Sequence, residues 1–118
     1  MNKQLKLTAA ILILLQGIFI DSALAQGKHG AIAISSDRTT YGLASNRSTR
    51  AEAKKEAISK CGAGCEVVIT LDNECGAVVK DNYTWYSGRG DTEGEAKERA
   101  FKACGKTSCK LVKSVCSK

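Results

Sequence analysis

The sequence predicts an α+β fold of two pseudo-symmetric ββαβ repeats, whose strands form a roughly six-stranded, mostly antiparallel sheet with two helices. Residues 49–57 resemble residues 92–100, with threonine, glutamate and alanine in matching positions. A Cys-Gly pair follows each segment, at 61–62 and 104–105. Six cysteines in a chain of 118 residues also indicate disulfide bonds, which staple small domains whose apolar core is thin.

The repeats fill a single domain that follows an N-terminal leader. Residues 1–25 have the pattern of a signal peptide, with two lysines, an apolar stretch and small residues at 23 and 25 for cleavage. The apolar stretch is shorter than a membrane-spanning helix, which needs about 20 residues, so an anchor is the weaker alternative. We expect cleavage after residue 25 and one disulfide-rich domain over 26–118, with repeat one at about 30–72 and repeat two at about 75–118.

Each repeat opens with two predicted strands joined by a turn. The short apolar runs at 31–35 and 77–80 are typical of strands, and turn-forming residues that include aspartate follow each run. The chain then returns in second strands at 39–44 and 83–87, which contain threonine and aromatic residues. Each repeat therefore begins with a predicted hairpin.

A helix follows each hairpin. Thr49 with Glu52, and Thr92 with Glu95, form capping boxes, in which the threonine oxygen accepts a backbone N–H and the glutamate reaches back. A glycine after the last turn ends each helix. Small residues recur every four positions and form a narrow stripe that lets each helix lie close to a sheet: Ala53, Ala57, Cys61, Ala96, Ala100 and Cys104.

The repeat restricts how the six cysteines pair. In each copy one cysteine ends the helix and another begins the closing strand, predicted at 65–71 and 109–116. The simplest pairing has three bonds: Cys61 with Cys65, Cys104 with Cys109, and Cys75 with Cys116. Crossed pairings between the repeats are one alternative, and a zinc site is another because the spacings come close to those of structural zinc sites. An even number of cysteines in an exported chain favours disulfides, so we expect no metal and no cofactor.

Catalytic residues are difficult to assemble from this sequence. The one histidine, His29, lies near the expected new N-terminus, and we expect it to be solvent-exposed rather than part of a catalytic triad. The glycine-rich segment 87–90 lacks the phosphate-loop pattern. No spacing places two of the candidate carboxylates across a cleft, namely Asp72, Glu74, Asp81 and Asp91. We therefore assign no catalytic residue.

Aromatic and arginine side chains form the candidate binding surface: Tyr83, Trp85, Tyr86, Arg89, Arg47 and Arg50. In a strand, Tyr83 and Trp85 would share one face while Tyr86 takes the other. Exposed aromatic residues beside arginine are typical of binding hot spots, and pseudo-symmetry would bring the arginines, with Arg38, into one basic rim. The alternatives are that Trp85 fills the core and that the arginines are simply solvated.

A set of short motifs runs through the predicted mature chain. They are Gly30-Ala31-Ile32-Ala33, Glu52-Ala53 with Cys61-Gly62 and Cys65, Cys75-Gly76-Ala77, Glu95-Ala96 with Cys104 and Cys109, and Val112 with Val115-Cys116-Ser117. This pattern resembles the exported bacterial family called domain of unknown function 4189 (DUF4189). The resemblance implies export and disulfide bonds, and it supplies no catalytic residue. Family members often have an aromatic residue before the opening Gly-Ala, where this chain has His29.

We therefore expect a small exported, disulfide-stabilised and non-enzymatic binding module, secreted from a bacterium or held in its periplasm. Loss of two lysines and one aspartate with the leader changes the net charge from +6 to +5, which suits an acidic protein partner. Such a module would be an inhibitor, a toxin-neutralising protein or a secreted effector. The alternatives are a small exported hydrolase of a cell-envelope polymer and a binder of anionic glycan or lipid. Export argues against a nucleic-acid partner, and no transmembrane segment is expected after cleavage.

Overall fold

The computed structural model describes residues 27–118, so the predicted signal peptide at 1–25 lies outside the described residues. The described elements are β1 (His29–Ser35), β2 (Tyr41–Arg47), α1 (Arg50–Cys61), β3 (Cys65–Asp72), β4 (Glu74–Lys80), β5 (Trp85–Gly90), α2 (Glu93–Cys104) and β6 (Lys110–Ser117). The predicted α+β class, with six antiparallel strands, two helices and disulfide bonds, is confirmed.

The six strands divide into two antiparallel sheets of three rather than forming one continuous sheet. The first sheet has the strand order β2-β1-β3, and the second has the equivalent order β5-β4-β6. Both central strands are buried on both faces, at 30–34 and 75–79. A helix covers only one face of its sheet, so the apolar side chains on the other face are buried only when a second sheet covers them.

The molecule therefore has four layers: α1, the first sheet, the second sheet and α2. Between the sheets, Ile32, Ile34, Ile69 and Leu71 of the first sheet pack with Val78 of the second. The sheets stack so that β2 lies against β6, while β3 lies against β4 and β5. The β2–β6 edge and the β3–β5 edge are thus opposite sides of the sandwich.

Each helix packs on its sheet through the predicted stripe of small residues, whose four alanines are fully buried. The facing strands carry glycine where the helix backbone comes closest. A Cβ on Gly42 would overlap the carbonyl oxygen of Ala57, and a Cβ on Gly88 would overlap the backbone nitrogen of Ala100. Alanine on the helix and glycine on the strand together permit this close approach.

The N-termini of the two helices form only half of the predicted capping boxes. Each capping threonine accepts the backbone N–H of the glutamate three residues later, Glu52 or Glu95, at 3.1 Å. The reciprocal half of the predicted capping boxes is not formed in either described helix. The Glu52 carboxylate instead accepts a hydrogen bond from the Ser48 hydroxyl, and Glu95 pairs with Arg99, because these side-chain donors lie within reach. The glycine after each helix has a positive φ, and Gly105, but not Gly62, has the left-handed helical conformation.

Three disulfide bonds join all six cysteines, which all lie within the described residues. The pairs are the ones that the repeat suggests: Cys61–Cys65, Cys104–Cys109 and Cys75–Cys116. The first two bonds tie the end of each helix to the chain that enters the next strand. The third joins paired positions of β4 and β6, whose Cα atoms are 3.9 Å apart. It closes a sequence separation of 41 residues and so fastens both ends of the second repeat together.

Candidate functional site

Tyr83 lies in the turn between β4 and β5, and its side chain is 82% exposed. The strand predicted at 83–87 begins later, at Trp85. The delay has a local cause, because the Asp81 carboxylate accepts the backbone N–H groups of Tyr83 and Thr84, at 2.8 and 2.7 Å. These bonds lengthen the turn, so the prediction that Tyr83 and Trp85 share a strand face is wrong.

Trp85 and Tyr86 lie on opposite faces of β5, as strand geometry predicts. Trp85 packs against the apolar cluster between the two sheets. Tyr86 packs against the cluster beneath α2. Both side chains are half-buried and contribute to the two cores, so Tyr83 is the aromatic residue of the three that is most accessible to a partner.

Asp81 fixes the β4–β5 turn and also binds Lys106. Its carboxylate is almost fully buried and lies 2.9 Å from the Lys106 ammonium group. The Thr84 N–H, then Lys106, then the Tyr83 N–H hold the pKa of Asp81 well below its ordinary value. The same ion pair raises the pKa of Lys106. These bonds occupy the carboxylate within its own turn, which gives Asp81 a structural role.

Arg47 and Arg50 lie where β2 ends and α1 begins. The Arg47 guanidinium binds the Glu56 carboxylate, which also lies 3.0 Å from the Lys60 ammonium group. Hydrogen bonding and charge raise the pKa of Arg47 and lower that of Glu56. Arg50 is the first residue of α1 and is exposed. Arg47 therefore ties β2 to α1, and Arg50 remains on the surface.

Arg38 lies beyond the other end of β2, in the β1–β2 turn. Its guanidinium donates to the Asn82 carbonyl oxygen at 3.1 Å, and the Lys80 ammonium donates to the Arg38 carbonyl oxygen at 2.9 Å. The two hairpin turns therefore contact each other at one end of the sandwich. Arg38 joins the two repeats there and is separated from Arg47 by the length of β2.

Arg89 lies on the β3–β5 edge and caps the outer edge of β3. Its guanidinium donates to the Thr70 carbonyl oxygen at 2.8 Å and lies 3.4 Å from the Glu74 carboxylate. The same Glu74 oxygen accepts the Asp72 N–H at 3.3 Å. This Arg89–Glu74 clamp occupies backbone groups at the C-terminal end of β3, which is one way that proteins protect a strand edge.

The six candidate residues therefore do not form one continuous surface. Trp85 and Tyr86 face the cores, whereas Arg47 and Arg89 lie on opposite edges of the sandwich. The basic rim that pseudo-symmetry could form is not observed, because Arg47 is paired with Glu56, and Arg89 with Glu74, on opposite edges.

His29 belongs to β1 and is not the solvent-exposed terminal residue that the sequence suggests. It pairs with Arg47 of β2 and Asp72 of β3 in the sheet, and its side chain is only 26% exposed. The ring Nδ1 lies 3.9 Å from the Asp72 carboxylate and has no hydrogen-bond partner among the described residues. Strand pairing that starts earlier than predicted accounts for this burial.

A groove that the sequence does not reveal runs along the outer edge of β3. It has a volume of about 520 Å³, and its walls are Lys54 and Ile58 of α1, residues 65–70 of β3, and Arg89 of β5. Within its sheet β3 pairs only with β1, so its other edge faces the groove. Apolar side chains and a free strand edge therefore lie side by side.

The chemistry of the groove is suited to contact with a polypeptide. Ile58 is 40% exposed, and Val67 and Val68 on the strand are half-buried. Lys54 is exposed at the same wall, and Glu66 is the one carboxylate among the lining residues described. Paired-carboxylate hydrolysis needs two such groups, so this groove offers contact and hydrogen bonding rather than an acid–base pair.

Local sequence patterns identify these residues only as a helix surface and a closing strand. Lys54 and Ile58 are four positions apart, which places them on one side of α1. The one local indication of the groove is the run Val67-Val68-Ile69, because a half-exposed strand usually alternates apolar and polar residues. Which strand lies at the edge of a sheet is a tertiary property, and no local pattern gives it.

Two ββαβ halves, packed sheet against sheet and stapled by three disulfides, define a small α+β sandwich domain. Residues 29–116 match the family described as Domain of unknown function (DUF4189). The match covers both halves, and the chain belongs to this family, as its motifs predict. Neither a curated protein nor a solved structure matches the chain.

The helices of residues 27–118 are short. Neither is long and apolar enough to cross a bilayer. In the same part of the chain, no three His, Cys, Asp or Glu side chains are grouped so that they could hold a metal ion.

Proposed function

We propose that the mature chain is an exported, non-enzymatic binding module that acts on a partner protein. The observation that carries this proposal is the groove along β3, where a free strand edge lies beside the exposed side chain of Ile58. A free strand edge offers backbone donors and acceptors to an incoming polypeptide, and an adjacent apolar wall adds buried area.

The disulfide bonds support both rigidity and export. Cys65 lines the groove and is bonded to Cys61 at the end of α1, so one bond holds the two walls of the groove together. A surface that is already ordered loses less conformational entropy when it binds. Because such bonds persist in oxidising compartments, three of them favour a periplasmic or secreted protein.

Charge supports an acidic partner. The predicted mature chain carries a net charge of +5, since the leader removes two lysines and one aspartate from a chain of +6. Lys54 places a cationic group at the groove itself, where Arg89 is already paired with Glu74. Complementary charge speeds the encounter of two proteins. Covering a functional surface of the partner would inhibit it, which fits an inhibitor, a toxin-neutralising protein or a secreted effector.

A pull-down with the oxidised chain 26–118 tests this proposal. The immobilised protein is exposed to periplasmic extract and culture supernatant of the source cells, and retained proteins are identified by mass spectrometry. We expect one retained protein whose capture falls in the groove variant Ile58→Ser. The matched control is Phe101→Ser, because Phe101 is 38% exposed at the corresponding position of α2 and lies away from the groove.

Two results would contradict the proposal. Recovery of no protein, together with turnover of a cell-envelope polymer by the purified chain, would favour a hydrolase. Retention of anionic glycan or lipid vesicles in place of protein would favour the envelope-binding alternative.

A further inference from the structure

We propose that the partner supplies an extended acidic segment that adds as a strand to the open part of the β3 edge. In this arrangement a carboxylate of the segment contacts Lys54 and an apolar side chain contacts Ile58. The inference rests on the proposed function, because it takes the partner to be a protein.

Only part of the β3 edge is open to an added strand. The Arg89–Glu74 clamp occupies the Thr70 carbonyl and the Asp72 N–H at the C-terminal end. Among residues 27–118, no side chain forms a hydrogen bond with the backbone of 66–69, which is the middle of the segment that lines the groove. The pairing with β1 shifts register here and leaves Val68 without a partner. The clamp and this bulge together restrict the site to a short strand.

Lys54 is the charged group at the open segment that favours a carboxylate ligand. Among the described residues, Lys54 has no carboxylate within 4.0 Å, whereas Lys60 on the same helix is paired with Glu56. Arg89 also lies at the groove, but it is already paired with Glu74, and the exposed Glu66 opposes an incoming carboxylate at the far side of the segment from the clamp. A carboxylate brought to Lys54 therefore gains an ion pair without breaking one in this protein.

The distance between Lys54 and Ile58 on α1 determines how far apart the acidic and apolar residues of the added segment lie. Lys54 and Ile58 are one helical turn apart, a rise of about 6 Å. Alternate residues of a strand point to the same face and are about 6.7 Å apart. A strand lying beside β3 therefore meets both α1 side chains when its acidic and apolar residues are separated by one residue.

A second copy of this chain is a less suitable occupant. Two copies that pair through β3 would each bring a net charge of +5 and would bring their Lys54 side chains to the same interface. Like charges placed together oppose association. The acidic segment has no such conflict.

The test uses the oxidised chain 26–118 and a capped octapeptide of threonine that contains one valine and one aspartate two positions apart. Binding is measured by titration calorimetry, and its location by amide hydrogen exchange. We expect slower exchange at 66–69 and binding that weakens about tenfold or more in Lys54→Glu and Ile58→Ser. Lys55→Glu and Phe101→Ser are matched controls at exposed helix positions outside the groove, and we expect both to bind like the wild type.

Three outcomes would overturn the inference. A peptide with lysine in place of aspartate, or with the aspartate moved by one position, would bind equally well. Lys54→Glu would weaken binding no more than Lys55→Glu, and Ile58→Ser no more than Phe101→Ser. Exchange at 66–69 would slow with rising protein concentration and no peptide, which would assign the edge to a second copy. If the pull-down recovers a protein whose capture falls in Ile58→Ser, but the acidic peptide does not bind, the proposed function stands and this inference fails.

Discussion

Asp37 and Asp81 lie in equivalent hairpin turns and hold them by the same type of hydrogen bond. Asp37 accepts the hydroxyls of Ser35 and Thr39, at 2.6 and 2.7 Å, and the Thr39 N–H at 3.1 Å. These bonds, the Ser35 hydroxyl first, lower the pKa of Asp37 to about 2. The pKa of Asp81 is lowered in the same direction by Thr84, Lys106 and Tyr83. Each aspartate thus stabilises its turn more strongly when it is ionised.

The two lowered pKa values predict destabilisation by acid. A carboxylate whose pKa is lower in the folded state stabilises the fold above its unfolded pKa, and the effect is lost as the pH falls toward the folded pKa. We expect the free energy of unfolding of the wild type to fall between about pH 5 and pH 2. Asp81→Asn should be less stable at neutral pH and should show a shallower fall. Denaturant unfolding at several pH values measures both.

Asp91→Asn is the control for that experiment, because Asp91 is exposed and lies outside both hairpin turns. Its pH profile should follow that of the wild type. An Asp81→Asn profile parallel to the wild-type profile would show that this turn does not contribute to acid sensitivity.

At the scale of elements, the sequence predicts the helices better than the strands. Helix bounds depend on local signals, and both capping threonines and both terminal glycines act where they were expected. The strands predicted at 39–44 and 83–87 begin two residues later, at Tyr41 and Trp85. The aspartate side chains of the turns bind backbone N–H groups there, and residue propensities do not include such competition.

The local sequence pattern also does not predict that the six strands divide into two sheets. The continuous apolar runs at 31–35 and 77–80 predict strands, but the burial of both faces of β1 and β4 requires two different covering layers. Composition alone does not say whether the second layer is a helix or another sheet. For the same reason the sequence suggests one surface for Arg47 and Arg89, whereas the stacking of the sheets places them on opposite edges.

The close contact of α2 with β5 makes a matched pair of glycine substitutions informative. Gly88→Ala should destabilise the protein by about 1–3 kcal/mol, because the added Cβ meets the α2 backbone. Gly94→Ala, within α2 and with no atom near the added Cβ, should stabilise it by about 0.5–1 kcal/mol. Thermal and chemical unfolding report both changes. Equal effects of the two substitutions would contradict the packing of α2 on this strand.

At the scale of the whole molecule, the two halves share a plan but differ at their exposed edges. The β3 edge has the Arg89–Glu74 clamp at one end and the groove beside Ile58 at the other. On the opposite side, the Lys113 ammonium lies 5.9 Å from the centre of the Tyr41 ring and so links β6 to β2. Duplication therefore gives a symmetric scaffold, and later differences in single side chains can give one edge a separate use.

The three disulfides should contribute unequally to stability. Chain-entropy reasoning gives about 4 kcal/mol for the Cys75–Cys116 bond and about 2 kcal/mol for Cys61–Cys65, because their sequence separations are 41 and 4 residues. The double variant Cys75→Ala/Cys116→Ala should therefore be less stable than Cys61→Ala/Cys65→Ala. Denaturant midpoints of the two oxidised variants measure the difference. The reverse order would show that the short bond at the groove stabilises more than the long one.

The most direct test of the account is the intact mass of the protein recovered from the periplasm or the culture medium of its source cells. Export followed by complete oxidation predicts a chain that starts at Gln26 and weighs six hydrogens less than its reduced form. After reduction, the mass should rise by those six hydrogens. A chain that keeps residues 1–25 and stays within the cell, or an exported chain with free thiols, would contradict a disulfide-stapled module that works outside the cytoplasm.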